Sequence, residues 1–243
     1  MENNQLIQGS FFEEDYLIRT LGDLANSPDI ALTELVANAW DAGATKVEIT
    51  IPDEIFEEIT VKDNGTGLSP EQFRKRWMTL GYNRLKHQGE QVEFPPDSKM
   101  GYRRVFGRNG VGRHGMLCFA NQYIVETRRD GKVSKFEVSA SSGNQPFKLI
   151  QEEISVGSDH GTKICAKVER NLPNSESIRD ILSARFLHDP QFSVFVNGKS
   201  ISLTEHKGLI DNERITVNNV KLDIYVVDST KSAKTIRQHG VAF

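Results

Sequence analysis

Glu34-Leu35-Val36-Ala37-Asn38-Ala39-Trp40-Asp41-Ala42-Gly43-Ala44 is the stretch from which the rest of the chain is read. In an α-helix each residue advances by about 100°, so with Glu34 at zero Asn38 lies near roughly 40° and Asp41 near roughly −20°. The two acids and the amide share one narrow face. Leu32, Leu35, Val36, Ala39 and Trp40 fill the opposite arc and supply an apolar stripe for a core. Ser27-Pro28-Asp29 marks the helix start, with a capping side chain, proline at the first helical position and an acid in the first turn. Gly43 marks its end. The polar face reads either as solvated surface or as the floor of a pocket. Against plain surface, Ile30, Ala31, Ala37 and Ala42 frame it, and no Lys or Arg occurs between Asp29 and Lys46. A carboxylate in such a floor can orient and deprotonate water. An amide oxygen there can complete the shell of a Mg²⁺ ion that brings phosphates with it.

Outward from this helix, Leu17, Leu21 and Leu24 predict a preceding helix over 13–25. Val47, Ile49 and Ile51 alternate with Lys46, Glu48 and Thr50, which predicts a half-buried strand. Ile59 and Val61 predict a second strand ending at Asp63-Asn64-Gly65-Thr66-Gly67. Ser69-Pro70-Glu71 opens another helix, carrying Phe73, Trp77 and Leu80. Periodicity fails from Gly81 to Arg108, which reads as a long loop or lid. Arg129-Asp130-Gly131 predicts a hairpin between Tyr123–Thr127 and Lys132–Val138. Strands at Gly161–Val168 and Phe192–Asn197, a helix at Ser175–Leu187 and an extended stretch at Ile215–Asp228 complete the pass.

The order of elements predicts an α/β fold, a two-layer sandwich with a mixed, mostly antiparallel sheet and helices on one face. A domain is expected over 1–204, with a lid at about 81–115. Residues 205–243 are expected to begin a second domain, cut short at the apolar Gly240-Val241-Ala242-Phe243.

Lys and Arg number 30 against 33 Asp and Glu in 243 residues, a net charge of −3, which disfavours a dedicated nucleic-acid backbone binder. Cys118 and Cys165 sit in apolar runs without metal-ligand spacing and read as buried thiols. The start of the chain carries no basic-then-apolar leader, and no 18-residue apolar run exists. No membrane association is expected, and the expected compartment is the cytoplasm.

Two glycine-rich segments bear on chemistry. Asp63-Asn64-Gly65-Thr66-Gly67 reads either as a simple turn or as a site where Asp63 accepts a hydrogen bond from a planar ligand that Gly67 lets approach. Gly107-Arg108-Asn109-Gly110-Val111-Gly112-Arg113-His114-Gly115 opens a helix-like run, where free backbone N–H groups attract anions. Arg84, Lys86, Lys99, Arg103, Arg104, Arg108 and Arg113 make the lid locally positive, against Glu90, Glu93 and Asp97. No Gly-Lys-Ser/Thr follows, which excludes a Walker-type loop. A Rossmann unit is disfavoured because the run does not follow a parallel strand near the start of a βαβ unit.

Taken in order, these segments resemble the GHKL superfamily of gyrase-type topoisomerases, heat-shock chaperone ATPases, histidine kinases and MutL. Glu34–Ala44 looks like its first nucleotide box, Asp63–Gly67 like its adenine box, Gly107–Gly115 like its lid-closing glycine box, and Gly161-Thr162 like its final short motif. The resemblance implies the Bergerat-type sandwich, an ATP substrate with Mg²⁺, and hydrolysis to ADP and phosphate. It implies Glu34 as general base and Asn38 as the Mg²⁺ ligand. Asp63 becomes the partner of the adenine amine, Gly67 makes room for the base, and Asp41 and Thr162 support the pocket. The N–H groups around Gly110 and Gly112 hold the phosphates. Ala42, Gly65, Lys86, Gly107, Asn109 and Val111 complete the expected nucleotide contacts.

Asp41-Ala42-Gly43-Ala44-Thr45 looks most like MutL, whereas the glycine box is closer to chaperone and MORC-like versions. A histidine kinase is disfavoured because no histidine precedes Glu34. An ATP-dependent homodimer is expected, with a protein client or a DNA-associated complex as partner. The competing reading is a nucleotide-gated interaction module with little hydrolysis, in a DNA-repair or defence-type assembly. A nucleic-acid module resting on Arg103, Arg104, Arg108 and Arg113 ranks third.

Overall fold

The computed structural model describes residues 26–106, 110, 112–140, 147–186, 189, 191–202, 209–218 and 220–228. The expected helix over 13–25 and the apolar run at Gly240–Phe243 lie outside these residues, as do Gly107, Arg108, Asn109 and Val111. Helix α1 (Pro28–Asp41) follows from an alanine- and leucine-rich run without interior Gly or Pro. Ser27 takes the extended capping geometry, yet its hydroxyl makes no capping bond. Pro28 and Asp29 therefore mark the start without the expected side-chain cap. The helix stops where Gly43 adopts φ +73°. Leu32, Leu35 and Val36 are fully buried, each contributing about 1.5–3 kcal/mol through apolar burial.

Eight strands form one sheet: β1 (Lys46–Thr50), β2 (Glu58–Asp63), β3 (Gln122–Arg129), β4 (Lys132–Ala140), β5 (Phe147–Val156), β6 (Gly161–Lys167), β7 (Ser193–Val196) and β8 (Lys199–Ser200). Their order is β5-β4-β3-β6-β2-β1-β7-β8. Every neighbouring pair is antiparallel except β1 with β7. Val47, Ile49, Ile59, Val61, Val125, Phe136 and Ile164 are buried, while Glu48 and Lys62 between them are exposed. The buried face carries α1, a 3₁₀ segment (Gly112–Cys118) and the later helix over Ser175–Phe186. This is the expected mixed sheet with helices packed against it.

Two readings needed tertiary information. The period of two assigns no strand to Phe147–Val156, because this edge strand leaves Ile150, Ile154 and Val156 exposed and alternation is lost. The helix opened by Ser69 is a single turn, α2 (Pro70–Gln72), closed by a capping box with Gln72 and continued as a π-type turn (Phe73–Trp77). That wide turn sets Phe73 in a stack on Phe136 of β4 at 3.8 Å, and Trp77 donates to Tyr123 Oη of β3 at 2.9 Å. Within the expected lid, Arg84–Gln88 forms a short helix, α3, and Gln91 bridges Arg104. The helix over Ser175–Phe186 is α4.

Beyond residue 204, β9 (Leu209–Val217) and β10 (Val220–Val227) form a separate antiparallel hairpin. Cys118 and Cys165 are buried, and burial pushes both thiols up to about 11, so they are inert rather than nucleophilic.

Candidate functional site

The polar face of α1 borders a cavity rather than bulk solvent. Leu35, Asn38, Ala39, Asp41 and Ala42 form one wall. Val61 and Asp63 at the end of β2, with Thr162 and Ile164 at the start of β6, form a second, and Thr66-Gly67-Leu68 closes that side. The segment between the sheet strands contributes Arg76, Trp77, Tyr82, Arg84, Gln88 and Glu93, and the end of the glycine run contributes Arg113. Six of the residues singled out from sequence thus share one cavity: Asn38, Asp41, Ala42, Asp63, Gly67 and Thr162.

Asp63 ends β2 directly opposite Thr162 of β6. Its carboxylate accepts from the Gly65 N–H at 2.7 Å. Burial pushes its pKa up to about 6, against the pull of the Gly65 and Thr162 backbone and of His160. A half-buried carboxylate lining a cavity offers an acceptor to a donor on a ligand. Asn64 does not serve as a mere turn residue. Its Oδ1 accepts from Thr45 N (2.9 Å) and Lys46 N (2.8 Å), and its Nδ2 donates to Thr45 Oγ1. With Thr66 N donating to Ala42 O at 2.7 Å, this ties the loop to the end of α1.

Gly67 has φ +63°, and a Cβ there would stand 2.1 Å from the Arg128 carbonyl oxygen. The backbone of β3 therefore requires glycine here, and the same residue lines the cavity. Thr127 on β3, which sequence reasoning missed, holds this loop: its Oγ1 accepts from Leu68 N at 2.7 Å and lies 3.4 Å from Thr162 Oγ1. His160 was also missed. It joins Gly65 O (2.9 Å) to Asp97 of the lid (2.9 Å).

Glu34 lies one turn before Asn38, outside the cavity wall, half-buried against the glycine run. A Cβ on Gly112 would fall 2.2 Å from Glu34 Oε2, so only glycine lets this segment pass the carboxylate. Burial raises the Glu34 pKa, with Arg185 of α4 drawing it partly back. A raised carboxylate pKa suits a general base. Asp41 is buried and accepts from the lid backbone, Phe106 N, at 2.6 Å. Asn38 lines the cavity, and its Nδ2 is buried without a hydrogen-bond partner. Among the described residues no group of three His, Cys, Asp or Glu could hold a metal. The donors fit a hard cation that takes one protein oxygen and completes its shell with phosphates and water.

The remaining expected contacts divide. Gly65 sits directly behind Asp63, and Gly110 stands against Tyr82 and Arg113. Lys86 is exposed and lines no part of the cavity; its neighbour Arg84 lines it instead, because α3 turns that side inward. Gly107, Asn109 and Val111 lie outside the described residues. The lid over α1 is held by Arg103, whose buried guanidinium stacks on Trp40 (4.2 Å) and donates to Ala44 O (2.5 Å). This cation belongs to the core, which removes it from a nucleic-acid surface.

Residues 26–163 match the family model described as "Histidine kinase-, DNA gyrase B-, and HSP90-like ATPase". The chain belongs to this GHKL ATPase family. The GHKL chain is 29% identical over 208 residues to a Herpetosiphon aurantiacus protein named "Putative type II restriction enzyme HgiDII", covering 79% of this chain and 31% of that one. It is 29% identical to the DNA mismatch repair protein MutL of Listeria monocytogenes over 237 residues, covering 91% and 35%. With MutL of an Exiguobacterium species the identity is 22% over 236 residues, covering 90% and 36%. The chain spans about a third of the length of these relatives. No described helix is long and apolar enough to cross a membrane.

Proposed function

We propose that this chain binds ATP in the cavity between α1 and the sheet and hydrolyses it to ADP and phosphate. The observation that carries the reading is the carboxylate of Asp63, raised in pKa by burial, in the wall of a cavity that Asn38 also lines. Asp63 accepts the exocyclic amine of adenine, supported by Thr162 and the Thr127-anchored loop. Asn38 offers the protein oxygen for Mg²⁺, which supplies charge neutralisation at the phosphates when bound. Glu34, made more basic by burial, holds the attacking water and takes its proton. Gly110 and Gly112 present backbone N–H groups to the phosphates, with Gly107, Asn109 and Val111 as further contacts. Catalysis of this kind is positioning plus charge neutralisation.

In the same reading, residues 1–204 form the nucleotide domain with its lid at about 81–115, and 205–243 begin a transducer-like domain. Nucleotide closes the lid and drives a homodimer. The names of the MutL and restriction-enzyme relatives favour a DNA-associated assembly over a chaperone cycle. A cytoplasmic setting accords with that role.

A second reading, a nucleotide-gated interaction module with little hydrolysis, is favoured by the position of Glu34. Its carboxylate lies outside the cavity wall and against Gly112, away from the residues that line the cavity. Glu34→Ala separates the two. It is expected to keep affinity for a non-hydrolysable ATP analogue and to lose Mg²⁺-dependent phosphate release by about 100-fold or more. Equal turnover by the variant removes Glu34 from the chemistry. Absence of turnover in the wild-type protein together with tight binding supports the gated module.

A further inference from the structure

We infer that Arg76, Arg84 and Arg113 form a triphosphate-reading cluster supplied within this chain. The inference rests on the nucleotide reading above and assigns the phosphate end of that site. The three residues come from separate segments, the π-type turn, the start of α3 and the 3₁₀ segment, and all three line the same cavity.

Their pairing sets them apart. Arg74, Arg104, Arg129 and Arg214 each hold a carboxylate at 2.5–2.9 Å. Among the described residues, Arg76, Arg84 and Arg113 hold none within 4 Å. Of the acids lining the cavity, Asp41 accepts from Phe106 N, Glu93 is taken by Arg129 at 2.7 Å, and Asp63 accepts from Gly65 N. Arg84 reaches only Gln88 Oε1 at 3.3 Å and the Gln91 carbonyl at 3.4 Å, and its buried Nε has no partner. Arg113 donates to the Arg76 carbonyl and faces the Tyr82 ring at 5.5 Å. Burial lowers the Arg84 pKa, the Arg76 charge lowers it further, and Asp41 and Glu93 offset this only in part. Burial brings Arg113 down to about 10.

Like charges brought together here are only partly offset by the carboxylates of Asp41 and Glu93, and a polyanion relieves the remaining cost. Guanidinium forks match phosphate oxygens in pairs, which a single ammonium does not. Three such groups favour a triphosphate over a diphosphate, and a diphosphate over the bare nucleoside. The exposed Lys86 has no part in this.

The test compares wild type, Arg84→Gln, Arg76→Gln and Asp63→Asn by calorimetric titration with a non-hydrolysable ATP analogue, ADP, adenosine and inorganic tripolyphosphate, alongside melting of the empty proteins. Arg84→Gln and Arg76→Gln are each expected to weaken the ATP analogue and tripolyphosphate by about 10- to 100-fold, ADP by less and adenosine not at all. The empty variants should melt no lower than wild type, which a merely structural arginine would not permit. Unchanged analogue affinity, or equal loss for adenosine and the analogue, overturns the cluster while loss of binding in Asp63→Asn leaves the nucleotide reading standing. Wild-type binding of tripolyphosphate without any adenosine compound keeps the cluster and sinks the nucleotide reading. Binding of neither sinks both.

Discussion

Replacing Asp63 by Asn separates what this carboxylate costs the fold from what it gives the site. An ordinary Asp titrates near 3.8, and burial moves Asp63 to about 6, a difference of about 3 kcal/mol between its protonated and ionised forms. The sign follows from proton binding. The folded chain holds this proton more tightly than the unfolded one, so the group favours folding most below pH 3.8. That contribution is lost as pH rises through about 6. Above that pH the ionised carboxylate is a cost, softened by its bonds from the Gly65 and Thr162 backbone. Asn removes the charge but turns an N–H₂ toward one of those donors, losing about 1–1.5 kcal/mol. The net expectation for Asp63→Asn at pH 8 is a gain of about 1–2 kcal/mol, shrinking toward a loss by pH 4. Binding moves the other way. An amide donor facing the adenine amine is expected to cost at least about 2 kcal/mol, or about 30-fold in affinity. Urea unfolding at pH 4, 6 and 8 measures the first quantity, and titration with a non-hydrolysable ATP analogue measures the second. Unchanged analogue affinity would falsify the adenine assignment. A stability loss that is the same at all three pH values would show that Asp63 is not held in its unfavourable form by burial.

Two further substitutions test the frame around the site. Gly67→Ala places a Cβ 2.1 Å from the Arg128 carbonyl at φ +63° and is expected to cost about 2–3 kcal/mol in thermal unfolding. Gly81→Ala shares that φ but meets no atom within 4 Å, so only about 1 kcal/mol is expected; equal losses for both would refute the collision with β3. Arg103→Ala leaves Asp189 unpaired and opens a void beside Trp40 and Phe192, with an expected loss of about 3 kcal/mol in urea unfolding. A loss below about 1 kcal/mol would show that the lid is not pinned there.

The fold was legible wherever one face of an element is buried and the other is not, because burial then writes its period into the sequence. Strands β1, β2 and the hairpin of β3 and β4 meet that condition, whereas α1 and β6 are buried nearly all round and were legible from their end signals and apolar content. Strand β5 does not: at the sheet edge Ile150, Ile154 and Val156 face solvent, and its pairing with β4 is held by backbone groups that carry no sequence signal. The π-type turn at Phe73–Trp77 is likewise invisible to a 3.6-residue count. The glycines were legible as glycines but not in cause. Gly67 answers to the Arg128 carbonyl and Gly112 to Glu34, contacts between residues far apart in the chain.

By itself the sequence determined that Glu34, Asn38 and Asp41 share a helix face and that Asp63 ends a strand, since local geometry and periodicity suffice for both. Only the tertiary structure decided that Asn38, Asp41, Asp63 and Thr162 border one cavity, through the pairing of β2 with β6 and the packing of α1 on the sheet. It also decided where each cation lies. Arg84 and Lys86 are two residues apart in one basic segment and read alike as sequence. The turn of α3 sends one to the cavity and the other to water. Charge is a property of the residue, whereas desolvation is a property of where the fold puts it.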